Sequence, residues 1–225
     1  MHFHIITIFP DACQGYTDTG VIGRAQKTQI DKRGKKKKNS ITISYYNPRD
    51  FAGNKHNKID DTPYGGGPGM VMQAEPILKA WQCAVGRKRN KAEVKTIITS
   101  PRGSQFTNKT AMHYAEAYKH VVIICGRYEG IDSRVQEILQ AEEVSIGEFV
   151  LTGGEIPALT IIDAVARQVP GVLGEESSLE ENRQAPKYMY TKPSEFTFKN
   201  KKYSVPKVFL SGDPKKISDW HSDNT

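Results

Sequence analysis

Residues 145–158, SIGEFVLTGGEIPA, combine a glycine pair with carboxylates and contain no lysine or arginine. From Glu142 to Glu155 the chain carries four acids, Glu142, Glu143, Glu148 and Glu155, and no basic residue. A phosphate loop needs a lysine at a fixed offset, as in G-x-x-x-x-G-K-[ST], or backbone amides at a helix start with little negative charge nearby. Neither condition is met, so a triphosphate or pyrophosphate would be repelled. The stretch instead suits a purine-containing ligand that carries positive charge. Glycines let backbone amides and carbonyls approach an adenine edge, Ile146, Val150 and Leu151 offer apolar contact, and carboxylates tolerate a cation. S-adenosylmethionine is such a molecule, with a sulfonium, an ammonium and no phosphate. The plainer alternative is a tight strand-to-helix turn in which Gly153 and Gly154 serve backbone geometry alone.

Such a loop must be held by regular elements on both sides. Downstream, IPALTIIDAVARQVPG reads as one helix: Pro157 suits its first turn, Leu159, Ile162 and Ala166 share a face, and Pro170-Gly171 ends it. Upstream, short apolar, β-branched runs at 3–9, 41–47, 94–100 and 120–126 read as buried strands. Helical spacing appears weakly over 11–30, then in Ile77, Leu78, Trp81 and Val85, and again around 107–118. Strands alternating with helices predict an α/β fold, a parallel sheet with helices on both faces. Residues 63–70, PYGGGPGM, hold four glycines and two prolines in eight positions and follow a long polar stretch from 48 to 62.

After Gly174 the texture turns polar, and 174–187 reads as a linker between a domain at 1–173 and a small, mainly helical unit at 188–225. In that last unit KVFLSG looks strand-like, and Asp213 caps a short helix that starts with Pro214. A piece of that size with no metal or disulfide predicts docking on something larger.

The formal charge of +7 is concentrated in blocks: Lys32, Arg33, Lys35, Lys36, Lys37 and Lys38; then Arg87, Lys88, Arg89 and Lys91; then Lys199, Lys201 and Lys202. Blocks of this kind favour a polyanion, because each lysine that meets a phosphate releases counterions. No apolar run approaches the ~18 residues of a membrane span, and MHFHIITIFP lacks the basic and apolar regions of a signal peptide, so a cytoplasmic location and no membrane partner are expected. Cys13, Cys83 and Cys125 are widely spaced with no C-x-x-C pair, which suggests three buried thiols and neither a disulfide framework nor a zinc site.

Seven stretches then occur in one order: TPYGGGPGM (62–70), SPRG (100–103), CGRYEGID (125–132), SIGEFVLTGGEIPA, VPGVLG (169–174), YTKP (190–193) and VFLSG (208–212). Together they resemble the bacterial tRNA (guanine-37-N1)-methyltransferases, of the trefoil-knotted (SPOUT) α/β superfamily, over nearly the whole chain. The resemblance implies a C-terminal knot in the catalytic domain, which general topology rules would exclude. It implies S-adenosylmethionine bent among three loops: Ser100, Pro101 and Gly103; Gly126, Arg127, Tyr128, Glu129 and Gly130; and Ser145, Ile146, Gly147, Glu148, Phe149, Val150, Leu151, Gly153, Gly154 and Pro157. It also implies a homodimer with active sites between subunits, a tRNA anticodon arm as substrate, and dependence on Mg²⁺.

Methyl transfer to N1 of guanine needs a group that takes the N1 proton and one that stabilises charge developing toward O6. By resemblance the second is Arg167, although an arginine at a helix C-terminus is also ordinary dipole compensation. The family's base is an aspartate eight residues past the glycine of PGVLG, and that count reaches Asn182, a neutral amide. Glu181 or Glu180 can present a carboxylate to the same place, or they simply keep the linker solvated. No D-x-D-like cluster places Mg²⁺, and no metal ligand is assigned; Asp60 and Asp61 are candidates only. Lys192 stands where arginine is usual in YTKP, which weakens bidentate recognition. Two rival readings follow from Asn182 and the site: a catalytically silent tRNA-binding homologue, and a knotted methyltransferase acting on another RNA nucleoside.

Overall fold

The computed structural model describes residues 1–30, 36–37, 39–86, 90–173 and 188–223. The N-terminal apolar run forms strand β1 (His2–Ile6), and Pro10 opens helix α1 (Pro10–Thr17), with α2 (Gly20–Ala25) close behind. A short ribbon, β2 (Gln29–Ile30) with β3 (Lys36–Lys37), leads to β4 (Thr42–Tyr46). Beyond a 3-10 turn at Pro48–Phe51, β5 (Asp60–Asp61) pairs with β6 (Val71–Met72) and brackets PYGGGPGM. Helix α3 (Ala74–Val85), β7 (Val94–Gln105), α4 (Asn108–Ala117), β8 (His120–Cys125), α5 (Arg134–Leu139), β9 (Glu142–Ser145) and α6 (Glu155–Gln168) follow.

The five long strands make one parallel sheet in the order β4-β1-β8-β7-β9. Alternate side chains of its central strands feed two cores, as a parallel sheet covered on both faces requires. Phe3, Ile5, Val121 and Ile123 pack with Ala158, Ile161, Ile162 and Val165 of α6. Ile6, Val122 and Ile124 pack on the other face with Ile77, Ala80 and Val85 of α3. Each fully buried isoleucine contributes on the order of 1.5–3 kcal/mol relative to exposure, so the strand-to-helix spacing read from the sequence is also where the stability lies. No helix is long and apolar enough to cross a membrane among the described residues.

The chain divides into two compact units, Met1–Leu179 and Glu180–Thr225. Within the second, β10 (Glu195–Phe198) and β11 (Lys201–Ser204) form an antiparallel hairpin, followed by α7 (Lys207–Leu210) and α8 (Pro214–Asp223). Its side-chain packing is aromatic: Phe209 lies 5.0 Å from Tyr190 and 4.9 Å from Trp220, ring centre to ring centre. Asp213 caps α8 as expected, its Oδ1 accepting from the amides of Lys215 and Lys216.

Three expectations are corrected, and one hairpin is added to them. KVFLSG is not a strand: Pro206 sets up the α7 turn, and that turn directs Phe209 into the aromatic group. The hairpin before it went unread although EFTF alternates and Lys199-Asn200 both take positive φ, 47° and 59°, as a tight hairpin turn demands. Strand β7 does not stop at 100 but carries SPRG within it, shifting register between Thr99 and Ser104 as it passes Val144 of β9. Cys83 is exposed, whereas Cys13 and Cys125 are buried; all three are free thiols. The linker residues 174–187, most of the lysine block at 31–38 and residues 87–89 lie outside the described residues.

Candidate active site

The C-terminal ends of β7, β8 and β9 converge because the connections reverse direction there: the step from β7 to β8 moves one place toward β1, and the step from β8 to β9 moves two places back. Crevices at such switch points are where open α/β sheets bind ligands. Here the crevice is a cleft of about 1160 Å³ lined by residues 98–102, 126–134, 143–147 and 149–154, with 61–64 and 71–75 on its remaining side. All three loops singled out in the sequence therefore meet on one cavity.

The loops touch so closely that side chains have no room between them. A Cβ on Gly154 would sit 2.1 Å from Thr99 Oγ1 and 2.7 Å from the Cα of Cys125, and one on Gly103 would sit 2.3 Å from the Glu143 carbonyl carbon and the Val144 amide. Gly154 N donates to the Gly126 carbonyl at 2.9 Å, which fixes the start of α6 on the end of β8. These glycines are required by close approach of two backbones, and each has an ordinary φ. The PYGGGPGM ribbon is pinned to the same place: Glu129 N donates to Met70 O at 2.9 Å and Met72 N to Gly130 O at 2.9 Å. Tyr128 takes φ 59°, a conformation unfavourable for a tyrosine, and stays half exposed on the cleft.

One ion pair organises the floor. Glu155 is 5% exposed at the first position of α6, and Arg127 reaches its Oε2 with Nε at 3.0 Å and Nη2 at 2.9 Å. Thr7 donates to the other carboxylate oxygen at 2.7 Å, and Arg127 Nη1 donates to the Thr152 carbonyl at 3.2 Å. The Phe9 ring lies under the guanidinium, 4.5 Å from Cζ. Arg127 thus ties β1, β8 and the loop before α6 into one unit, so it positions the loop through its head group.

This overturns the view of a lining rich in unopposed acid. The lysine-free character read from 142–155 is real along the chain, but folding brings Arg102, Arg127 and Arg134 to the cleft beside Asp61, Glu75, Glu129, Asp132 and Glu143. Glu155 is neutralised by Arg127. Glu142 lies in β9 and is bonded to Lys95 of β7 and to the Tyr114 hydroxyl of α4, the latter at 2.9 Å. Burial works against the charge on Glu142, but the bonds from Lys95 and Tyr114 outweigh it and hold its pKa below the usual value. Asp132 is likewise held low, chiefly by its hydrogen bonds with Arg134. The lining is of mixed charge and, among the described residues, free of lysine, which suits a zwitterionic ligand better than a polyanion.

Most of the residues expected at the site line the cleft, Ser100, Gly126, Ile146 and Pro157 among them. Gly103 and Glu148 do not: Gly103 is consumed by packing on β9, and Glu148 falls outside the lining. Arg167 is in the last turn of α6, about 18 Å along the helix axis from Glu155, and does not line the cleft either. Glu181 and Asn182 lie outside the described residues. Residues missed in the sequence include Thr99, whose hydroxyl donates to Ile124 O at 3.3 Å against Gly154, and Asp132 with Arg134. Asp132 closes the CGRYEGID stretch and Arg134 lies two residues beyond it, so their place in the loop was their only signal.

Burial, followed by the charge of Glu155, raises the thiols: Cys13 to about 11, and Cys125 well above its ordinary value. Both stay protonated near neutrality and offer no thiolate nucleophile. Among the described residues, the acids of the cleft form no group of three close enough to share an ion.

The family model described as "tRNA (Guanine-1)-methyltransferase TrmD" matches residues 1–225. Proteins named tRNA (guanine-N(1)-)-methyltransferase resemble the chain along almost all of it. That of Carboxydothermus hydrogenoformans is 44% identical over 98% of this chain and 81% of its own length. That of Desulforamulus reducens is 42% identical over 98% and 82%. That of Clostridioides difficile is 37% identical over 100% and 92%.

Proposed function

We propose that this chain, which belongs to the tRNA (guanine-1)-methyltransferase family, transfers a methyl group from S-adenosyl-L-methionine to N1 of guanosine 37 in tRNA, the nucleoside 3′ of the anticodon. What carries the reading is the meeting of 98–102, 126–130, 145–147 and 149–154 on one cleft, in a chain that matches the family from end to end.

The cleft fits the cofactor. Gly126, Gly153 and Gly154 line the cleft with no side chain of their own, Ile146, Val150 and Leu151 offer apolar faces, and the mixed charge, without lysine among the described lining residues, accepts an amino acid moiety beside a sulfonium. When bound, the cofactor supplies an electrophilic methyl carbon whose leaving group is a neutral sulfide. On the protein side, a carboxylate takes the proton from N1 as N1 bonds to that carbon, and a guanidinium stabilises the charge shared with O6. We assign the first role to Glu181, beside Asn182 in the register where the family has its aspartate, and the second to Arg167.

Arg167 stands about a helix length from the cleft of its own chain, and in this reading a second copy brings its Arg167 to the bound guanine. The exposed apolar residues Phe149, Val150 and Ile156 at the cleft rim favour such pairing. A homodimer, a knot formed by these loops, a cytoplasmic location, a Mg²⁺ requirement and a tRNA-binding role for 188–225 belong to the same reading.

The test is incubation with labelled S-adenosylmethionine and two anticodon-arm transcripts, guanosine or adenosine at position 37, with and without Mg²⁺, followed by nucleoside analysis. 1-Methylguanosine from the first transcript alone is expected. Absence of any methylated nucleoside, or label at another base, would overturn the assignment.

A further inference from the structure

The opposite end of the sheet carries a second constellation. His2 and His4 alternate onto one face of β1, and His120 opens β8 directly across from His2. The faces of β1, β8 and β4 align in register, so Ser44 lies beside His4 and Tyr46 two pairs further on, on the same face. Each histidine brings a ring nitrogen within 4.8 Å of the other two. His4 is fully buried, while His2 and His120 keep part of their surface in solvent.

The closest pair is His4 Nε2 and His120 Nδ1, 3.2 Å apart. Two ligands about 2.0–2.1 Å from a tetrahedral ion are separated by about 3.3 Å, so this edge already has coordination spacing. The other nitrogen of His4, Nδ1, is 3.2 Å from the Tyr46 hydroxyl, and His2 Nε2 is 2.8 Å from Ser44 Oγ. Such hydroxyl partners fix ring orientation and tautomer, the role that outer groups play around metal-bound imidazoles. His2 lies flat on His4, ring centres 3.9 Å apart, so closing the set takes a rotation of His2 that its partly exposed position permits.

We propose that His2, His4 and His120 bind one divalent transition metal ion of the imidazole-preferring class, zinc or nickel, with solvent in the fourth position. The entry path runs past His2 and His120. The ion would clip the start of β1 to the start of β8, joining residues 116 and 118 positions apart in the chain. It lies at the N-terminal edge of the strands, whereas the cleft is at their C-terminal ends, so the proposal does not depend on the methyltransferase reading.

The experiment uses the full chain without a polyhistidine tag, stripped with EDTA and titrated with Zn²⁺ by calorimetry and with Co²⁺ by visible absorption. One ion per chain, Co²⁺ bands of four- or five-coordinate intensity, and a zinc-dependent rise in Tm are expected. Tyr46→Phe should weaken binding about tenfold, and His2→Gln or His120→Gln by more than that. Zinc should also shift the ring nitrogen resonances of His2, His4 and His120 in the unmutated protein while leaving those of His56, His113 and His221 in place. A folded wild-type protein that takes up no ion, or one that binds equally well in both histidine variants, overturns the site. So does a zinc titration that moves only His56, His113 or His221.

Discussion

At the scale of single residues, the network at the sheet edge sets a pH dependence. Glu142 has its pKa lowered in the folded state by Lys95 and Tyr114, against the opposing effect of burial. A lowered folded pKa stabilises above the unfolded value, 4.5, and that contribution is lost as pH falls through the folded value. Glu142→Gln should therefore flatten the fall in unfolding free energy between pH 7 and pH 3, by up to about 1 kcal/mol given the partial exposure of the pair. Denaturant titrations at both pH values check this; an unchanged slope would mean the pair contributes nothing. In the linker, Glu181→Gln should lower methylation far more than Glu180→Gln, measured by single-turnover transfer. Near-native activity in both would leave Asn182 without a carboxylate to stand in for it.

Individual elements are held together by contact of bare backbone. Gly154→Ala would push a methyl group onto Thr99 and the Cys125 backbone and separate the start of α6 from the end of β8. We expect a loss of about 1–3 kcal/mol in stability and a larger proportional loss in S-adenosylmethionine affinity, read by denaturation and calorimetry on the same protein. Gly15→Ala is the contrast. Gly15 lies inside α1 with nothing within 4 Å of its Cβ position, so alanine should stabilise by about 0.5–1 kcal/mol. If both glycines respond alike, helix propensity and not loop contact governs the site.

For the whole molecule, the separation of Arg167 from the cleft makes a prediction about two copies. Arg167→Ala and Gly154→Ala should each be nearly inactive alone, and mixing them after subunit exchange should restore roughly a quarter of wild-type activity. Half of randomly formed dimers are hybrids, and each hybrid keeps one intact site. No recovery on mixing would place Arg167 in the site of its own chain. The lysine block acts on the same scale: replacing Lys35, Lys36, Lys37 and Lys38 by alanine should flatten the salt dependence of tRNA binding by about 0.9 logarithmic unit per lost phosphate contact. A slope equal to wild type would make the block decorative.

The α/β class, the four main strands, α3 and α6 were legible from local pattern, because β-branched runs and helical spacing record which face of an element is buried. The three loops were legible through their glycines and their common order. The pairing of Ile97 with Glu142, and of both Thr99 and Ser104 with Val144 across a register shift, could not be read, since β9 carries only four residues and two of them are glutamates. Nor could the pairing of Arg127 with Glu155, 28 positions apart, or the joining of His2 and His4 with His120. Spacing along a chain reports which side chains share an element; which charges cancel and which imidazoles converge depends on strand order and register, and those are decided only when the sheet closes over its two cores.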